Sequence, residues 1–374
     1  MQRARKTDNK TGTMSKIHLY IAFFILFPPT LAWGQQAAAQ QLVDEGVALH
    51  DQGEYEMAMG KYREALSLDS NLIHAVYELS LTCLALKDYA NAEEYSSEVI
   101  KAGEKQLAPG AYAVKSEALM ETGRAGEAIA LLQEGLEKFG DEYLLHFNLA
   151  INYYQQGDSD QSLHHVSRAI DLDKRHSGAF LLNAYLLKDK GLWIQSILSF
   201  QMFLLLEPDS ERSKNAFEEM LQTMGITQKS EEPVQRSFIQ QQMMRNRPPE
   251  TKQADGIPPL SIVGGLDRRI VYQSMRETLD SLQEVNSEVD TFRLFAAVNR
   301  SMMKVLEAES VGTKEGILWT YYIPFFTHIE QSDYYETYCR YISVSYYPGS
   351  LEWWQQNSEA AENFVRWFEN GDEN

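Results

Sequence analysis

With only two cysteines, Cys83 and Cys339, far apart in 374 residues, the chain carries no disulfide framework. Cys83 falls on an apolar helical face, where a thiol behaves as a small hydrophobe, so two buried free thiols are expected rather than a bridge. Catalytic constellations are missing too: there is no glycine-rich phosphate loop, HExxH, paired CxxC or GxSxG elbow. No catalytic, cofactor-binding or metal-ligating residue is assigned, and the chain reads as a non-enzyme. His164 and His165 are neighbours that point to different helix faces, which suits solvated surface histidines better than a shared metal. Basic charge is also short. Against 53 acidic residues stand 34 basic ones, a net charge of −19 that repels phosphate backbones and anionic headgroups, so nucleic acid is excluded as a partner.

Long uncharged runs are scarce, and the one at Ile17 to Trp33 has a particular setting. Arg3, Arg5, Lys6, Lys10 and Lys16 precede it, and the small-x-small triplet Ala32-Trp33-Gly34 closes it. That order predicts a secretory signal peptide over residues 1–34, hence an exported protein, periplasmic or secreted. Pro28-Pro29 interrupts the run, so membrane attachment is expected only if the segment stays uncleaved.

What the sequence does have is a period. Gly46, Ser80, Ser116, Ala150 and Ala184 recur every 34 residues with one 36-residue step. Ala58, Ala92, Ala128, Ser162 and Ser196 keep the same spacing, as do Gly53, Lys87, Gly123, Gly157 and Gly191. Each unit reads as an amphipathic helix, a glycine turn and a second amphipathic helix. Small residues sit where two helices joined by so short a turn must cross closely.

This pattern resembles the tetratricopeptide repeat (TPR) family over five units that begin at residues 39, 73, 109, 143 and 177 and end near Ser210. The first unit, with Leu42, Gly46, Gly53, Tyr55, Ala58, Tyr62 and Ala65, is nearly complete; Lys87 and the extra residues near Leu107-Ala108 depart from the pattern. Residues 211–224 look like the helix that caps such an array. The resemblance implies a fold that is all-α, a TPR-like helical-hairpin solenoid followed by a small C-terminal helical bundle. It also implies a concave groove lined by the first helix of each unit. Carried over residue by residue, the groove has Val43 and Val47, then Tyr77, Leu81 and Leu84, then Met120 beside Glu117. Phe147, Ile151 and Tyr154 follow, and Leu181 and Tyr185 complete it. Such a groove suits a protein or peptide segment with an apolar face. The chain's own linker is the competing occupant.

From residue 225 to 265 the composition shifts to proline, glutamine and charge, which predicts a linker with one short helix at Val234 to Arg245. Residues 266–372 return to helical periodicity but carry no family resemblance. Helices are expected over Asp267–Val285, Val289–Glu309, Lys314–Gln331, Asp333–Ser345 and Ser350–Glu369, with Asp333 and Ser350 as N-caps and a break at Asn357-Ser358. The aromatic residues crowded there predict a bundle core. Two functions fit: an exported scaffold that holds another protein in the cell envelope, and a hydrolase-like or glycan-processing protein whose site lies in the aromatic C-terminal module.

Overall fold

The computed structural model describes residues 29–227, 262–263, 265–285, 290–312 and 314–370. The predicted signal segment up to residue 28 and the predicted linker helix lie outside them. Five helix pairs come first: α1 (Pro29–Asp51) with α2 (Tyr55–Leu68), α3 (Ile73–Ala85) with α4 (Tyr89–Ala102), α5 (Ala108–Glu121) with α6 (Ala125–Phe139), α7 (Tyr143–Gln155) with α8 (Ser159–Leu172), and α9 (Ser177–Asp189) with α10 (Trp193–Leu206). The cap helix α11 (Glu211–Thr223) follows, begun by Ser210, whose hydroxyl accepts from the Ser213 N–H. The described residues are all-α apart from a two-residue antiparallel ladder, Ile262–Val263 with Leu266–Asp267.

The turns explain why the glycine series is periodic. Gly53 N–H donates to His50 O (2.9 Å) and Glu54 N–H to Leu49 O (2.9 Å), a Schellman closure that needs a left-handed residue at position 53. The same two bonds recur at 87 and 88, 123 and 124, 157 and 158, and 191 and 192. The φ angles of the five turn residues are 81°, 61°, 81°, 81° and 69°. Lys87 adopts the conformation despite its β-carbon, at a cost of about 1 kcal/mol.

The small residues lie at the helix crossings. Ser162 Oγ donates to Ala150 O (2.7 Å) and Ser196 Oγ to Ala184 O (2.8 Å), each joining the second helix of a pair to the small position of the first. In the first pair a β-carbon on Gly46 would run into the Tyr62 ring.

The chain divides into two compact units, Met1–Arg124 and Ala125–Asn374. The division falls at the turn of the third pair, away from the composition shift at 225–265. In the first unit the core is Val43, Ala58, Tyr62, Ala75, Leu79, Cys83 and their neighbours. In the second, a single core runs from the fourth and fifth pairs through α11 into the C-terminal helices. Both cysteines are free and buried, which pushes the Cys83 thiol up to about 11 and Cys339 to about 12.

The C-terminal helices are α12 (Arg268–Val285), α13 (Thr291–Glu309), a π-helical turn (Leu318–Tyr322) running into α14 (Ile323–Gln331), α15 (Tyr335–Tyr341), α16 (Pro348–Gln356) and α17 (Ser358–Asn370). Three details differ from the sequence expectation. The helix expected from Lys314 begins only at Leu318, after Gly316 at φ 95°, and its first turn is π because Pro324 has no N–H for the regular ladder. Asp333 is not an N-cap; Ser332 turns the chain instead, its hydroxyl accepting from the Tyr334 N–H. Ser350 lies inside α16, hydrogen-bonded to Ser343, because Pro348 starts that helix with its preset φ.

Candidate protein-binding groove

The eleven groove positions separate by exposure. In the first unit, Val47, Tyr77, Leu81, Leu84 and Met120 are half-buried on the first helices of their pairs, and Ile151 is half-buried in the second. The other five are corrected to core: Val43 and Leu181 have no exposure, Tyr154 and Tyr185 4%, Phe147 9%. The reasons are local. Phe147 is covered by the start of the next pair, with the His176 ring at 4.3 Å and Gly178 close beneath it. Tyr154 donates to Asp189 (3.5 Å), and Tyr185 turns edge-on to Phe200 of its own pair at 5.3 Å.

Polar groups in the first unit give the surface a chemical character. His50 meets Thr82 at 2.8 Å across α1 and α3. Glu117, the acidic groove position, has its carboxyl pushed above the ordinary range by burial, with Glu121 adding to the effect. A desolvated carboxyl between apolar side chains favours a cation on whatever it meets.

Two features went unread in the sequence. One is a histidine cluster in the second unit: His165 is half-buried, stacked on Tyr153 at 5.5 Å, with its Nδ1 2.9 Å from Nδ1 of buried His146. Burial, with His146 and His164 nearby, pushes the His165 imidazole down to about 4. Only His164 is the solvated residue expected of the pair, because the helix turns its neighbour inward. The other feature is the face of α10. Gln201, fully buried, donates to Asn299 (2.9 Å) and accepts from Tyr338 (2.5 Å), while Tyr322 bonds both Asn183 and Ser199 (3.4 Å each). The fifth pair is thus tied to the C-terminal helices by buried hydrogen bonds that would be costly to leave half-made.

No family model matches the sequence, and comparison with curated proteins gives no match. Solved structures similar to this chain include a thermophilic TPR protein of Thermus thermophilus, 20% identical, over 50% of this chain and 99% of that one, with a TM-score of 0.44. PilF of Pseudomonas aeruginosa is 17% identical over 51% of this chain and 86% of its own, with a TM-score of 0.43. YrrB, a TPR protein described as having an unusual peptide-binding site, is 18% identical over 48% and 89%, with a TM-score of 0.33.

Proposed function

We propose that the protein is an exported scaffold that holds a protein segment against the first helices of its first three repeat pairs. The observation that carries this reading is the set of half-buried apolar side chains at groove positions Val47, Tyr77, Leu81, Leu84 and Met120. Apolar side chains left partly accessible at positions that a hairpin repeat points outward are contact material rather than core. Half-buried Glu117 adds a preference for a segment that carries a lysine or arginine among its apolar residues. Export is supported by the basic cluster, apolar run and small-x-small triplet of residues 1–34. The hydrolase-like alternative gains no observation: Tyr321, Phe325, Trp367 and Phe368 are half-buried aromatics that pack on one another and against buried Phe364.

A photo-crosslinking side chain at position 81 of the full chain tests the binding surface, with position 86, an exposed site at the end of α3, as control. A discrete adduct from 81 alone, lost in Tyr77→Ala/Met120→Ala, is expected. Equal adducts from both positions would count against the groove. Intact mass of the protein recovered from the cell exterior or periplasm tests export; a chain beginning near Gln35 is expected, and retention of residues 1–34 in the cytoplasm contradicts it.

A further inference from the structure

The C-terminal helices enclose a cleft of about 1030 Å³ whose lining runs the full length of α13, from Asp290 to Glu309. One face of α13 forms the floor. Its small residues Ala296, Ala297, Ser301 and Ala308 keep the floor low, and Ser274 and Thr278 of α12 form one wall. Against a chain of net charge −19, this lining is unusual in carrying Arg293, Arg300, Lys304 and Arg340. Two of these are held in place. Arg300 lies 4.1 Å from the Tyr335 ring centroid and 3.3 Å from Glu330, and Arg340 lies 4.4 Å from the Phe292 centroid and pairs with Glu336 at 3.0 Å. Among the described residues, Arg293 and Lys304 make no ion pair.

The acidic lining residues are already committed or peripheral. Asp290 caps α13, accepting from the Phe292 N–H, Glu336 is bound to Arg340, and Glu309 stands at the far end. The open charge of the cleft is therefore positive: among the described residues Arg293 and Lys304 are unpaired, and Arg300, which shares its charge with Glu330, stands between them on the same stripe of α13.

We infer that this cleft is a docking site for an acidic amphipathic helix of a partner protein. The spacing decides between a helix and a strand. At a rise of about 1.5 Å per residue, the three cations stand at about 0, 10.5 and 16.5 Å along the groove. A helix laid along it presents carboxylates at i, i+7 and i+11 at the same intervals. An extended segment repeats one face at about 6.7, 13.4 and 20.1 Å and falls about 3 Å from both the second and the third cation. The alanines and serines flank the stripe of cations and leave room for the partner's apolar side chains beside it, and the charge match supplies register and orientation. No residue of this cleft belongs to the groove of the first unit, so either reading survives the failure of the other.

The test is fluorescence anisotropy with the full chain and a labelled 18-residue synthetic helix that carries Glu at i, i+7 and i+11 beside an alanine and leucine stripe. Saturable binding is expected, at least tenfold weaker for a scrambled peptide of the same composition and for Arg293→Glu/Lys304→Glu, and declining with salt. Arg293→Gln/Lys304→Gln is expected to lose affinity to an intermediate degree, with thermal unfolding unchanged in both variants. Equal binding of the scrambled peptide, or full affinity in the charge-reversed variant, overturns the inference. So does an absence of binding, whether the cleft is too shallow or is filled by another segment of this chain.

Discussion

Helices α8 and α10 occupy the same place in successive repeat pairs, yet four residues of α8 are buried and twelve of α10 are. The difference lies in the outward face. Asp160, His164, Arg168 and Asp171 of α8 are replaced 34 residues later by Ile194, Leu198, Met202 and Leu205, none more than 3% exposed. A helix that is apolar all round must be covered on every side. Here its residues share one core with Val298, Met302, Phe326 and Tyr338 of the C-terminal helices. The lesson is that one repeat frame builds both a solvated surface and an internal wall, and that the outward positions decide which.

The sharpest way to break this comparison is to place the same charge at equivalent positions. Leu198→Asp buries an unpaired carboxylate and is expected to cost more than about 4 kcal/mol, enough to unfold the second unit, whereas His164→Asp should stay within about 0.5 kcal/mol. Chemical denaturation of the two variants measures both. If they cost the same, the outward face of α10 is not covered.

A subtler change targets the buried bonds. Gln201→Leu leaves Asn299 and Tyr338 each short of a partner and should cost about 1–3 kcal/mol. The double variant with Asn299→Leu should recover part of that loss, since paired removal spares the unsatisfied amide.

The α8 side of the comparison has its own signature in pH. An imidazole held near 4 in the folded chain and near its ordinary 6.5 in the unfolded chain binds its proton more tightly when unfolded. Its stabilising contribution is complete above pH 6.5 and is lost as pH falls from 6.5 toward about 4. His146 is shifted the same way by burial, opposed by Asp141, with Arg168 and His164 adding to the lowering. His165→Gln should flatten the fall of melting temperature across that window, and an unchanged slope would show that the ring does not report it.

The smallest expected effect concerns the repeat frame. Lys87→Gly should stabilise the first unit by about 0.5–1 kcal/mol by relieving a left-handed β-carbon. A melting temperature that fails to rise would mean that the interactions of the lysine side chain outweigh the strain.

How much of this was legible beforehand follows from which forces are local. The hairpins could be read because turn conformation and helix crossing are set by neighbours in the sequence: Gly53, Gly123, Gly157 and Gly191, and the small pairs Ala150 with Ser162 and Ala184 with Ser196. Lys87 held its register without glycine because the Schellman bonds on either side stayed intact. The groove was half legible. Position within a repeat marks which way a side chain starts out, but what comes to lie over it depends on later chain, so Phe147, Tyr154 and Tyr185 became core. Coverage of α10 had a signal that periodicity alone passes over: the polar residues expected on its outer face are absent. Asp333 and Ser350 misled because an N-cap depends on where the helix starts, and Pro348 and the Ser332 turn set that point first.

Peroxide oxidation of the native full chain, read methionine by methionine by mass spectrometry, tests the closure of α10 most directly. Met57, 54% exposed, should oxidise rapidly, while Met202, Met220 and Met302, at 2% or less, should resist until the protein unfolds. Oxidation of Met202 at the rate of Met57 under native conditions would contradict the covered fifth pair and the shared core on which it rests.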